Sequence, residues 1–250
     1  MSKGFFTTDA LVLREVRYKE ADRILTLFTS SDGKVTAKAA SALRKTSKLS
    51  ASTQLLTLSE MTLFENKGRI SVKEAVIKES FGSLREDFSN YALGCYFAEC
   101  IEALSEENTP DAELMQLILN SLYALGNNLH DPLLIKAAFE LRLACILGYT
   151  PDLDSCAVCG KEKPESPVLG TQTGRVCCRN CRNASVGITA YLDDASLNAM
   201  KHIVSAPPKR LYPQDLEGES LKKLSDACEA FFLEMAGRSF STLSYWKKVK

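Results

Sequence analysis

Cys156-Ala157-Val158-Cys159-Gly160 and, eighteen residues further on, Cys178-Arg179-Asn180-Cys181 form two C-x-x-C pairs. At this separation four thiolates come within reach of one tetrahedral ion. The two-residue gap lets each pair turn tightly around the metal, and the glycine after Cys159 relieves backbone crowding. Four sulfur ligands favour Zn2+ and close its coordination sphere, leaving no position for water or substrate, so the expected site is structural, with one ion. Burial of the cysteines as reduced core residues is the alternative. Lys161, Glu162, Lys163, Arg175, Arg179 and Arg182 surround them, which is a poor setting for apolar burial. Cys177 leaves a second spacing open, Cys177-x-x-x-Cys181. The repeated two-residue gap favours Cys156, Cys159, Cys178 and Cys181 as the ligand set.

The other five of the nine cysteines point to a reducing cytoplasm rather than a disulfide scaffold. Cys95, Cys100, Cys145 and Cys228 fall in apolar helical patterns and read as small buried residues. No apolar run reaches the length of a bilayer span. Asp9, Arg14 and Glu15 come too early for a secretory segment. Net charge is zero but segregated: residues 1–78 carry +6, 79–155 carry −10, 156–185 carry +3 and the rest +1. Such asymmetry suggests that different surfaces meet different partners.

Thr8–Val16 and Arg23–Thr29 read as strands around a polar corner at Arg17–Asp22. Ser30-Ser31-Asp32-Gly33 is a turn, and Lys34–Ala40 alternates with Val35, Ala37 and Ala39 on one face. Gln54–Glu65 is a longer strand whose apolar phase changes near Ser59 and Glu60, as a bulge would cause. Asn66-Lys67-Gly68 then turns it into Arg69–Lys78. Five strands in about eighty residues fit a small closed barrel of the OB type. From Ser83 the period becomes helical, with helices expected over Leu84–Leu104, Ala112–Leu125, Leu133–Leu147, Asp194–Ser205 and Leu221–Met235. The fold class is therefore α+β: a five-stranded barrel over 1–80 and an all-α domain over 81–250, with a zinc module inserted at 152–186.

Five cations, Lys34, Lys38, Arg44, Lys45 and Lys48, follow the turn, and no acid occurs between Asp32 and Glu60. A run like this beside a barrel face would neutralise nucleic-acid phosphates. Aromatic platforms for stacking bases are scarce, with Tyr18, Phe28 and Phe64 as the candidates. Phe28 and Phe64 sit at strand ends and read as core, so contacts mainly to phosphate are expected, with little sequence preference. The bland alternative is a solvated basic loop.

The order of parts resembles the RecO family of bacterial recombinational DNA repair proteins over essentially the whole chain. The stretches that carry it are Thr8–Leu13, Glu20–Phe28, Asp32-Gly33-Lys34 with its basic sequel, and Phe139–Leu143 followed by Leu147-Gly-Tyr-Thr-Pro151 and Cys156-x-x-Cys-Gly160. The resemblance implies an N-terminal OB-fold, a helical domain with a zinc module, and a recombination mediator in the bacterial cytoplasm, associated with the nucleoid. It implies binding of single- and double-stranded DNA and ATP-independent strand annealing. It also implies contact with RecR and with the C-terminal tail of single-strand DNA-binding protein, to help load RecA. Many members of that family carry Gly where Ser41 stands, after the third strand, a departure that bears on the path of the loop.

The residues agree that the chain is not an enzyme. They contain no G-x-x-x-x-G-K-[ST], G-x-G-x-x-G or H-E-x-x-H motif. Only two histidines, His130 and His202, occur, which leaves little for a nucleophile–base pair. A groove for an acidic tail would need cations, with Arg142, Lys209 and Arg210 as candidates. Two rivals stand beside the mediator: a zinc-ribbon adaptor that binds only proteins, and a metal-dependent nuclease or RNA-modifying enzyme, which would need a second, carboxylate-lined site.

Overall fold

The computed structural model describes residues 4–183, 186–213 and 216–250. Ala184 and Ser185, near the end of the expected zinc module, lie outside them. Two compact units result, one from residues 1–127 with 240–250, the other from 128–239.

In the first unit β1 (Gly4–Tyr18), β2 (Asp22–Thr29), β3 (Gly33–Ala39), β4 (Leu58–Asn66) and β5 (Arg69–Glu79) close into a barrel of order β1-β2-β3-β5-β4. All neighbours are antiparallel except β3 and β5, which pair in parallel through Ala37–Ile70, Lys38–Ser71 and Ala39–Val72. Period-2 alternation turns Ala10, Val12, Leu25, Leu27, Val35, Ala37, Met61, Leu63 and Val72 inward to make the barrel core. The first strand serves two neighbours, Gly4–Leu11 pairing with β4 and Ala10–Tyr18 with β2. An extra residue at Leu13, between the Val12–Leu27 and Arg14–Thr26 pairs, bends it for that purpose.

Three expectations need correction. Gln54–Thr57 lies in turns rather than in β4. There Val12 donates to the Thr57 carbonyl (3.1 Å) and accepts from the Leu56 N–H (2.9 Å), with Leu56 at φ 61°. The fourth strand has no bulge of its own, since Ser59, Met61 and Leu63 alternate inward without a break. The extra residues are Lys73 and Lys78 on β5. Phe28 is core, but Phe64 is not: it stands half-buried on the outer wall.

Helices α1 (Phe88–Leu104) and α2 (Ala112–Gly126) complete the unit together with α6 (Ser241–Val249). Asp87 and Asp111 cap the first two, accepting N–H groups of Asn90 and of Glu113 and Leu114. The last helix, not expected from the sequence, packs on α1 through Phe240, Leu243 and Trp246. Its N-terminus is capped by Glu99 of α1, whose carboxylate accepts from the Ser241 and Thr242 N–H groups.

The second unit is a three-helix body, α3 (Pro132–Ile146), α4 (Asp194–Ser205) and α5 (Gly218–Ala236). Between α3 and α4 a small sheet is inserted, β6 (Pro167–Gly170), β7 (Arg175–Cys178) and β8 (Thr189–Tyr191) in the order β7-β6-β8. The α3 helix is buried almost all round, so its one lysine is a core residue. Lys136, 1% exposed, is held by Glu140 at 3.0 Å and Glu229 at 2.9 Å. Burial opposes its charge, but the two carboxylates raise its pKa above the ordinary lysine value.

Candidate metal centre and nucleic-acid interface

The cysteine pairs arrive on two different kinds of turn. Asp152 lies beside Arg175, with Asp152 donating to the Gly174 carbonyl (2.8 Å) and Val176 donating to Asp152 (3.1 Å). Ala157 then donates to Val176 (2.9 Å), so the first C-x-x-C is laid against β7. Gly160 reverses the chain at φ 74° while its N–H bonds to the Cys156 carbonyl at 2.9 Å. That left-handed conformation is where glycine is favoured. On the other side Cys178 ends β7, and Cys181 follows in a 3-10 turn.

The Sγ atoms of Cys156, Cys159, Cys178 and Cys181 all lie within 4.8 Å of one another, with Cys159 and Cys178 4.0 Å apart. Tetrahedral thiolates at the usual zinc–sulfur bond length would be separated by roughly 3.8 Å. The quartet therefore fits one tetrahedral ion. Cys177 is buried beside Cys156 and Cys178 in the module's small core but is not one of the four whose sulfurs converge, as its position next to Cys178 on β7 leads one to expect.

The backbone prepares the cluster for negative charge. Cys156 Sγ accepts from the Cys159 N–H (3.5 Å) and the Cys178 N–H (3.4 Å), and Cys178 Sγ accepts from the Glu165 N–H (3.3 Å). Burial pushes the Cys156 thiol up, yet these N–H groups and that of Val158 outweigh it and hold the thiol at about 6. Cys181 is pushed up to about 12, first by its hydrogen bond to Cys159 and then by desolvation. Four thiolates this close repel one another, and a divalent cation is what allows all four to be charged together.

The five barrel cations do not act alike. Lys34 donates its ammonium to the Glu102 and Ser105 carbonyls, both at 2.8 Å, at the C-terminal end of α1. There it complements the helix dipole. Lys38 pairs with Asp22 at 2.8 Å, each drawn further toward its charged form by the hydrogen bond between them. Arg44, Lys45 and Lys48 are exposed. Their loop is stapled, since Arg23 donates to the Ser50 carbonyl and to Thr53 Oγ1, both at 2.9 Å, and Leu43 donates to the Ala21 carbonyl at 2.8 Å. The three free cations thus stand on fixed backbone.

Sequence reasoning missed Arg17 and Lys19, both exposed in the β1–β2 corner next to this loop. Tyr18 lies between them, with the Lys19 and Lys38 ammoniums 5.5 and 5.8 Å from its ring centroid. The antiparallel pairing of β2 with β3 brings that corner beside the loop, with Arg23 opposite Ala39 and Leu43 donating to Ala21. Arg142 is not free to receive an acidic tail: it donates to the carbonyls of Val204, at 3.2 Å, and Ala206, closing the end of α4. Lys209 and Arg210 are exposed. Among the described residues no helix is long and apolar enough to cross a membrane.

Comparison with known proteins agrees with this architecture. Residues 1–81 match the family model for the recombination protein O N-terminal domain, and residues 85–243 match that for its C-terminal domain. A DNA repair protein RecO of Acetivibrio thermocellus is 30% identical, over 98% of this chain and 97% of its own. One of Clostridium novyi is 35% identical over 82% of this chain and 84% of its own. One of Symbiobacterium thermophilum is 30% identical over 97% and 96%. With both halves matched in order, a barrel of OB topology and a four-cysteine cluster, the chain belongs to the recombination protein O family and has a role in DNA repair and recombination.

Proposed function

We propose that the chain is a recombination mediator that binds single- and double-stranded DNA through the cationic side of its barrel and anneals complementary strands. In this reading it acts with RecR on DNA coated by single-strand DNA-binding protein, whose C-terminal tail it contacts, and it makes or breaks no covalent bond itself. The carrying observation is the stapled loop with Arg44, Lys45 and Lys48 exposed and no acid within it. Cations fixed in this way release counterions from phosphates with little ordering cost, and shielded strands can approach one another. Lys34 and Lys38 lend positive field, though their ammoniums are already engaged.

Three cations at roughly 0.7 each give a slope of about −2 for log K against log salt on single strands. Replacing Arg44, Lys45 and Lys48 by Gln should make the slope shallower by about 2 and weaken binding alike for every sequence in a fluorescence titration. Unchanged affinity would dismiss the loop, and a wild-type chain that ignores DNA would leave the protein-only adaptor.

In the same reading the quartet holds one structural Zn2+. Structural zinc is worth about 10–16 kcal/mol apparent in finger peptides, as much as a domain's whole stability. Cys159→Ser should therefore misfold the second unit rather than remove one activity. Elemental analysis of wild-type protein showing less than one zinc per chain would reject the assignment.

A further inference from the structure

The outer wall of the barrel carries a feature that the cationic loop does not explain. Phe5 on β1 and Phe64 on β4 are register partners, and their rings lie 4.7 Å apart between centroids at 45°. Phe5 is 67% exposed, the most exposed large apolar side chain among the described residues. The Lys73 ammonium stands over the Phe64 ring, 5.2 Å from its centroid. Its position follows from the bulge, since Lys73 is the unpaired residue between the Leu63–Val72 and Thr62–Glu74 pairs. The adjoining turn exposes Lys67 and Arg69, with Lys67 at φ 50° and Gly68 at φ 73°. Register carries the line onward from Phe64 to Ser71 and then to Lys38, which faces Tyr18. Acids are present as well: Glu65 adjoins Phe64, and Glu74 and Glu60 lie further along the wall.

We propose that the Phe5–Phe64 pair is a stacking platform for the bases of an unpaired DNA strand, with Lys67, Arg69 and Lys73 taking its phosphates. Apolar rings left in water beside flexible cations suit a ligand that offers flat π-faces and negative charge at short, regular intervals. An unpaired strand does so, whereas a duplex keeps its base faces stacked away inside. An acidic peptide would match the cations but leave the rings uncovered. The inference deepens the DNA-binding reading above and rests on it.

The test compares an oligo-dT strand with an abasic strand of equal length and charge. Wild-type protein should bind dT more tightly. Phe5→Ala/Phe64→Ala should weaken dT binding by roughly 5- to 150-fold, the range for losing a stacked base, and leave abasic binding and the salt slope unchanged. Phe5→Leu tests the ring separately from its bulk and should behave like Phe5→Ala, while Phe5→Tyr should retain wild-type affinity. Equal loss on both strands, or no loss on dT, would overturn the platform. If wild-type protein binds neither strand, the DNA-binding reading itself fails, a result distinct from either of these.

Discussion

The turn that begins β3 shows how much one residue can be asked to do. Gly33 sits at φ 62°, and a Cβ there would lie 2.0 Å from the Thr109 carbonyl oxygen. Backbone strain and backbone overlap both forbid a side chain. Gly33→Ala should cost about 3 kcal/mol or more, readable as a fall in the denaturation midpoint. Ser41 presents the opposite case. It holds φ 57° with its N–H on Asp22 Oδ1 at 2.7 Å and has no glycine to ease the turn. Ser41→Gly should stabilise the protein by about 0.5–1 kcal/mol, readable as a rise in the denaturation midpoint. The Asp32-Gly33 turn was legible in the sequence, because Asp-Gly between alternating runs has a local cause. Its contact with Thr109 was not, because nothing local to Gly33 says which distant carbonyl will cover it.

At the scale of elements, legibility followed the range of the interaction. The barrel strands and five helices could be read because periodicity and caps act within a few residues. The sixth helix could not, since Glu99, more than a hundred residues earlier, caps it and α1 supplies the face it buries. Lys136 falls on the apolar stripe of α3, and only the fold shows Glu229 arriving from α5 to share it. The convergence of four cysteines was readable because their spacing limits which sulfurs can meet. The distinction between engaged and free barrel cations needed their partners. The α4 N-terminus joins both kinds of cause. Asp193 accepts from the Ser196 N–H at 2.9 Å within its own helix, and from Ser220 (2.9 Å) and Lys223 (3.1 Å) on α5. Burial pushes its carboxyl up, but these donors outweigh it and hold it at about 2, below its ordinary 3.8. A depressed carboxyl stabilises the fold above its unfolded value and loses that contribution as pH falls toward the folded one. Asp193→Asn should thus cost about 1 kcal/mol at pH 7 after allowance for solvent screening. The gap to wild type in urea midpoint should narrow between about pH 4 and pH 2; a gap independent of pH would assign the loss to packing.

On the scale of the whole molecule, the chain leaves its first unit at residue 127 and comes back to it at 240. Phe240, Leu243 and Trp246 are all less than 5% exposed, and Phe240 meets Tyr96 of α1 edge-on at 5.7 Å. Burying three such side chains is worth roughly 5–8 kcal/mol, comparable with a domain's entire stability. Ending the chain at Ser239 should therefore destabilise the barrel's unit, although the lost residues are the farthest from it in sequence. The single tryptophan lies in α6, so its fluorescence reports on the first unit alone, whereas far-UV circular dichroism weighs the helices of both. The cysteine quartet belongs to the second. Chelation or Cys159→Ser should accordingly remove the second unit's share of the dichroism while the Trp246 transition keeps its place. Two signals that move together would mean that the units unfold as one, and the cysteine quartet would then be supporting the barrel as well as its own helices.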